Sequence, residues 1–501
     1  MKTYQDLAAH FSAITSLKQI DSILDWDRSV MMPKDGLEQR ARQTAVLNVK
    51  IHDMLADPRV GDALAALDDA MLDDWQRANV RLMREQHMAA TAVPADLIAH
   101  KMAQETRTEM VWRQAKADDD FALVAPELEK LFGLVRDYAQ ARADKMGIPA
   151  YDALMVHYLP GMSSADVDII FDDLAGTLPQ LLDRALNVQA QALPLAGPFA
   201  IDKQKQAADL VARQLGFDLD RWGRLDASAH PFSTGIGGDV RITTRYEDSN
   251  FINALQAVGH EVGHGMFDHH VPDAWNDQPV GISGHMGMGI HESQSLGLEM
   301  QMGRSRAYWD YLAPHLAQIF GGSGAAWSGE NLHRHATQVS RSLIRIEADE
   351  ISYPLHVILR YRLEKDLLAG TLAVRDLPAA WRAGLKSLVG IEPPNDRQGC
   401  LQDIHWHAGM VGYFPAYAIG AVIAAQFTRK LQQDIPDLDA RLRKGDFFAY
   451  TAWMRDHIQS QACLYRPDVL IERVSGAPLS AQALKDHLHQ RYLVERTAVA
   501  A

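Results

Sequence analysis

The chain has 501 residues, 47% hydrophobic and 23% charged, an ordinary globular composition that allows two or three domains or one large helical body with a cleft. Its 64 acidic against 50 basic residues leave a net charge of -14, which argues against a nucleic-acid partner because little could neutralise phosphates. Two cysteines without a CxxC pair, no apolar leader and no run of about 18 apolar residues point to a soluble, cytoplasmic protein with no membrane partner.

Nearly everything from Tyr4 to about Met146 has helical periodicity. Leu7, Phe11, Ile14, Leu17, Ile20 and Leu24 mark a first long amphipathic helix. Met32 to Gly36 is a turn, and further helices are predicted over residues 40–55, 69–89 and 96–116. The run Asp118-Asp119-Asp120 reads as a solvated helix start. Gly147-Ile148-Pro149 breaks the pattern; a helix then restarts from an N-cap at Ser163 or Ser164 and runs to about Ala192. Residues 221–245 differ: glycines precede the alternating Asp239-Val240-Arg241-Ile242-Thr243-Thr244, which predicts a short strand or hairpin. Such an element beside the next helix is either a structural hairpin or a cleft edge onto which extended peptide adds.

That next helix carries His260-Glu261-Val262-Gly263-His264, an H-E-x-x-H pattern. Two histidines one turn apart can grip one metal ion. The intervening glutamate can accept a proton from a water activated there. Asp248 and Ser249 are the N-cap candidates. Phe251, Leu255, Val258, Val262 and Met266 form the apolar stripe, with the histidines opposite; Ala257 and Gly263 leave room near the site. Residues 272–289 read as a loop whose glycine-rich end forms a flexible rim of the cleft. It lacks the Lys-Ser/Thr ending of a phosphate cradle.

A catalytic zinc site takes a third protein ligand. His270 sits at the offset of the metzincin third histidine, but Phe267 replaces the glycine that would turn the chain back. Glu292, opening the next helix 28 residues after His264, completes a His2Glu set. Glu299, two turns on and about 10 Å away by helical rise, is second choice. His291 is a candidate to orient the site; His269, His270, His285 and His407 read as structural or exposed.

Six motifs in order carry a resemblance. They are His230-Pro231-Phe232; Asp239-x-Arg241-x-Thr243; His260-Glu261-x-x-His264; His291-Glu292-Ser293-Gln294; Ile344-Arg345-x-x-Ala348-Asp349; and Gly399-x-x-Gln402-Asp403-x-His405-Trp406. With Trp26-Asp27 and Met32-Pro33, the chain resembles the M32 metallocarboxypeptidases over most of its length, least in the last sixty or so residues. The resemblance implies a mainly α, deeply clefted fold related to neurolysin and angiotensin-converting enzyme. A small sheet would lie beside the metal helix, and residues 1–501 would form one catalytic domain. Its N-terminal part, about 1–200, would be helical, and the metal and substrate site would fall within about 225–420. It further implies a homodimer that removes C-terminal residues with broad specificity from peptides with a free C-terminus.

On this reading His260, His264 and Glu292 hold Zn2+, with Co2+ or Mn2+ as alternatives, and Glu261 is the general base. A guanidinium fork suits the terminal carboxylate; the family motif makes Arg345 the lead and Arg241 the second, with His230 also on the substrate side. His405 and Tyr413 or Tyr417 are the oxyanion donors, Tyr417 also counting among the substrate contacts, and Asp403 is expected to fix His405. An endo- or dipeptidyl-acting oligopeptidase with the same metal site, or a helical scaffold with a closed structural zinc, are the competing readings.

Overall fold

The computed structural model describes residues 1 and 3–496. Helix dominates, as the periodicity predicts. The N-terminal lobe is built from α1 (Tyr4–Val30), α2 (Leu37–Ala56), α3 (Pro58–Ala66) and α4 (Asp74–Thr91) around its own apolar cluster of Leu7, Phe11, Ile14, Ile51, Val60, Leu64, Val80 and Met83. The apolar stripe of α1 is buried only over its first half: Ile20 is exposed, and Trp26 takes over as the buried anchor. Next come α5 (Ala95–Asp118) and the long α6 (Phe121–Met146). Asp120 caps α6 by accepting from the Ala122 amide, and left-handed Gly147 ends it. The short α7 (Ala150–Met155) leads to α8 (Ser164–Val188), which opens on a capping box between Ser163 and Asp166 and ends a turn earlier than its pattern suggests.

After α9 (Ile201–Gln214) the chain forms a three-stranded sheet of β1 (Gly223–Ala227), β2 (Ser233–Ile236) and β3 (Asp239–Thr244), ordered β1-β3-β2. The predicted hairpin is the antiparallel β2–β3 pair. The parallel partner β1 was not legible, because GRLDA is short and its glycine, aspartate and alanine have little strand propensity. Val240 and Ile242 on β3 are fully buried and face α10 (Ile252–His269). The other side of the sheet meets α1, where Arg241 lies 4.3 Å from the Trp26 ring.

The large core surrounds α10, α11 (Gly287–Leu296), α12 (Arg306–Phe320), α13 (Gly329–Ala336), α14 (Ser352–Ala369), α15 (Leu377–Val389) and α16 (Phe414–Asp434). Four short helices complete the chain: α17 (Leu438–Leu442), α18 (Phe448–His457), α19 (Pro467–Ser475) and α20 (Gln482–His489). A π-helical turn over Gln490–Val494 follows directly on α20. No described helix is long and apolar enough to cross a membrane. Cys400 and Cys463 are both buried and free.

Two local readings are corrected. The N-terminus of α10 is capped by Asn250, whose Oδ1 accepts from the amides of Ile252 (2.8 Å) and Asn253 (3.3 Å); neither Asp248 nor Ser249 serves. The glycine-rich run is packed, not a flexible rim. A Cβ at Gly281 would lie 2.0 Å from the Trp275 carbonyl oxygen, and one at Gly289 2.5 Å from Leu159. The run therefore exists for close approach of backbone.

Candidate metal centre

The apolar stripe of α10 is buried, Val258 and Val262 completely, each such side chain contributing about 1.5–3 kcal/mol. This anchors the helix with His260 and His264 turned toward α11. The space left by Gly263 is filled by that helix: an added Cβ would sit 2.4 Å from the Gln294 carbonyl oxygen. From the other side, Gly420 on α16 admits Glu292, whose Cβ would be 2.6 Å from a Cβ at 420. The two glycines fix where Glu292 projects.

Glu292 meets both histidines. Its Oε1 is 3.8 Å from His260 Nε2 and its Oε2 is 3.3 Å from His264 Nε2, and one donor atom from each of the three residues lies within 4.8 Å of the others. Donors about 2.0–2.2 Å from a tetrahedral ion stand about 3.3–3.6 Å apart, so the set fits one divalent ion after small adjustments. The other nitrogens of both imidazoles are already engaged. His260 Nδ1 is 2.9 Å from Glu299 Oε2, and His264 Nδ1 is 2.6 Å from His291 Nδ1. His291 Nε2 in turn reaches Asp268 Oδ1 at 3.2 Å and Ser283 Oγ at 3.1 Å. With each Nδ1 donating outward, both Nε2 lone pairs face Glu292.

Electrostatics agree. Desolvation opposes the charge on His260, but Glu292, Glu299 and Glu261 outweigh it and lift its pKa to about 10. His264 goes the other way, to about 4, chiefly through desolvation. Three buried carboxylates converging on two imidazoles form a site that calls for a cation. Glu261 is raised to about 7, mainly by burial and further by Glu292 and Glu299. Among the described residues no fourth acid, cysteine or histidine joins the three, which leaves room for solvent or substrate, as a catalytic centre requires.

Aromatic residues stand beside the ligands. Glu292 acts electrostatically on Tyr353, Tyr413 and Tyr417, whose hydroxyls are all held un-ionised mainly by burial. His405 Nε2 is 3.2 Å from the Tyr417 hydroxyl, while its buried Nδ1 has no hydrogen-bond partner. Burial lowers His405 to about 4. Asp403 does not fix it, standing 4.0 Å away. That carboxylate is taken by two guanidiniums, with Arg345 Nη2 at 3.0 Å and Arg360 Nε at 2.6 Å. Arg345 also lies 4.7 Å from the Tyr417 ring, and the two hydrogen bonds of its guanidinium, from Nε and Nη2, leave Nη1 unbonded.

Thus the structure brings His260, Glu261, His264, Glu292, Arg345, His405, Tyr413 and Tyr417 into one neighbourhood. It does not bring Arg241 or His230 there. Strand alternation sends Arg241 away from α10 to pair with Asp239 at 2.8 Å and stack on Trp26. His230 is exposed, and its carbonyl accepts from Ser228 Oγ at 2.6 Å. His270 points to Gln459 Oε1, 2.6 Å away, and not to the ligands. Tyr353 and Arg360 were missed; they lie outside every motif, though Tyr353 follows Asp349 by one helical turn.

A family model described as carboxypeptidase Taq (M32) metallopeptidase matches residues 6–492. The chain is 35% identical to thermostable carboxypeptidase 1 of Thermus thermophilus over 98% of both chains. It is 32% identical to thermostable carboxypeptidase 1 of Pyrococcus furiosus, over 98% of this chain and 99% of that one. The solved structure of Trypanosoma cruzi metallocarboxypeptidase 1 superposes with a TM-score of 0.94 at 35% identity, covering 98% of this chain and 99% of the other.

Proposed function

The chain belongs to the carboxypeptidase Taq (M32) metallopeptidase family, and we propose that it is a zinc carboxypeptidase that trims C-terminal residues from peptides of varied sequence. The observation that carries this reading is the convergence of His260, His264 and Glu292 beside Glu261 with no fourth protein ligand among the described residues. An ion held by these three would polarise the scissile carbonyl and acidify a water.

The chain's own residues supply the rest. Glu261, buried and lifted to about 7, takes the water's proton on its carboxylate and hands it to the leaving amine; a base tuned near neutrality does this best. His405, neutral in its buried setting, and Tyr413 or Tyr417 are the donors for the developing oxyanion. Arg345, steadied by Asp403, offers its remaining N–H groups to the terminal carboxylate. The imidazole and carboxylate donors suit zinc, with cobalt and manganese as substitutes.

Mass spectrometry of unblocked peptides, incubated with and without a chelator, tests the reading. The expected result is a ladder shortened one residue at a time from the C-terminus, abolished by the chelator, with C-terminally amidated peptides left whole. Internal fragments or two-residue steps would assign the endo- or dipeptidyl reading instead, and cleavage indifferent to chelation would remove the metal from the reaction.

A further inference from the structure

A cavity of about 660 Å³, the size of a small-molecule site, lies between the C-terminal end of α8 and helices α12, α13, α16, α17 and α20. Among the described residues its lining includes none of the side chains grouped at the metal. One wall is nevertheless the π-helical turn Gly297–Met302, of which Gln301 and Met302 line the cavity. Two other lining residues hold this turn by its carbonyls. The Tyr450 hydroxyl donates to Gly297 at 3.0 Å, and Arg491 donates to Met300 at 2.5 Å and to Gln301 at 2.8 Å. The same turn sets Glu299 2.9 Å from His260.

Six guanidiniums and four carboxylates line the cavity, and their pairing leaves charge of both signs open. Arg334 with Glu330 and Arg429 with Asp486 are balanced pairs, and Arg491 is matched by the buried Glu350. Arg306 and Arg443, in contrast, share the single carboxylate of Asp310, each taking one oxygen. Arg496 has no ion-pair partner among the described residues; Asp349 and Glu350 act on it, each already engaged by other donors. Its Nη2 donates to the Thr337 carbonyl, its guanidinium lies 4.8 Å from the Tyr492 ring, and its buried Nη1 has no hydrogen-bond partner there. His333 stands among these cations. Desolvation, reinforced by Arg491, Arg306 and Arg496, lowers it to about 3. The open negative charge is that of Asp439 and Glu495, both exposed and outside every ion pair among the described residues. Glu495 is drawn by Arg491 and repelled by Asp439. The lining also includes the apolar side chains of Val188, Met302, Leu438 and Leu442.

We propose that this cavity binds a zwitterion with an apolar body, a free amino acid or a short peptide, and that its occupancy is felt at the metal through the turn Gly297–Met302. The carboxylate meets Arg496 and the Arg306–Arg443 pair, and the ammonium meets Asp439 and Glu495. The carboxypeptidase reading, on which the regulatory sense of the proposal rests, makes this the chemistry of the products: trimming releases a free amino acid and a shortened peptide. An occupant steadies the wall that holds Glu299 on His260, so metal and zwitterion each favour the binding of the other.

Calorimetric titration of the zinc-loaded full chain with L-leucine tests the site, with leucinamide and N-acetylleucine as probes that each lack one charge. Leucine should bind, and each analogue should bind at least about tenfold more weakly. Arg496→Gln and Ala190→Trp, the second at an exposed position of the lining, should each weaken leucine about tenfold while trimming an N-blocked dipeptide as the wild type does. Leu-Leu, given to the Glu261→Gln enzyme so that it stays whole, separates the two sources: tighter binding than leucine assigns the shortened peptide, weaker binding the released amino acid, and either supports the site. Leucine should also slow the loss of zinc to a chelator about fivefold in the wild type and not in the two variants. The proposal is overturned if leucine does not bind, if both charge-blocked analogues bind as well as leucine, or if both variants, with unchanged melting temperatures, bind it as the wild type does. Zinc loss indifferent to bound leucine overturns the coupling to the metal. A chain that binds leucine in this way but trims no peptide defeats the carboxypeptidase reading and not the site.

Discussion

His260 and His264 carry the same side chain one turn apart, yet their surroundings pull their pKa values in opposite directions. Against desolvation, Glu292, Glu299 and Glu261 together lift His260, with Glu299 also holding its Nδ1, whereas desolvation dominates at His264, whose Nδ1 meets only the ring of His291. Glu292→Ala should therefore abolish metal retention, whereas Glu299→Gln should keep the metal but bind it about 10–100-fold more weakly, the usual cost of losing a group that orients a ligand. Metal content and competition against a chelator measure both. A Glu299 variant that loses metal where Glu292→Ala keeps it would exchange the two roles. Glu261→Gln should retain metal and lose about 10^2–10^4 in kcat; substantial residual activity would take Glu261 out of the chemistry. The first two ligands and Glu261 were legible because a helix converts spacing into direction. Glu299 was placed about 10 Å along a straight helix. The π-helical turn Gly297–Met302 instead swings it against His260, and no local pattern announces such a turn.

At the level of elements, the site is a matter of how closely three helices approach. Gly263 on α10 touches the backbone of α11 at Gln294 and Ser295, and Gly420 on α16 makes room for Glu292. In the sequence Gly263 reads as space left for a ligand; it is in fact the point where the next helix enters. Gly263→Ala sets a methyl 2.4 Å from a carbonyl oxygen that cannot rotate away. The helices must part, costing about 1–3 kcal/mol of stability and pulling Glu292 off the histidines. A lowered melting temperature together with weakened metal binding is the expected pair of results; unchanged metal affinity would show that α11 can shift without moving Glu292. The same reasoning explains what local patterns conceal. Helices announce themselves by period, and β2–β3 by alternation and a tight connection. Strand β1 pairs with β3 seventeen positions further along the chain (Gly223 with Val240), and its pairing is decided by the sheet it completes. The sheet also absorbs one motif residue expected in the site, Arg241, and a second from the same motif, Thr243. Arg241 joins β3 to Trp26 of α1, and Thr243 Oγ1 accepts from the Phe232 amide at 2.9 Å, so part of that motif set holds the N-terminal lobe in place.

Across the whole molecule, lobes distant in sequence are tied together by buried polar groups, and Glu364 of α14 is the clearest case. It is fully buried and accepts from the Tyr151 hydroxyl of α7, from Trp406 Nε1 at 3.0 Å and from the Gly412 amide at 3.3 Å. These three donors favour the carboxylate, yet desolvation is the larger effect and raises its pKa to about 7. Between its ordinary value near 4.5 and about 7 the folded protein holds this proton while the unfolded chain has released it. The folded state then binds more protons, so stability falls as pH rises through that window, by an amount of order 3 kcal/mol in total. Below the window both states are protonated and the penalty vanishes. Glu364→Gln keeps an acceptor for Tyr151 and an amide that cannot ionise. Its melting temperature should therefore gain on that of the wild type steadily from about pH 5 to pH 7.5, with the effects of every other titrating group cancelling in the difference. A gap that stays constant over this range would mean that the three donors hold Glu364 ionised in the fold, and that burial is not the force governing it.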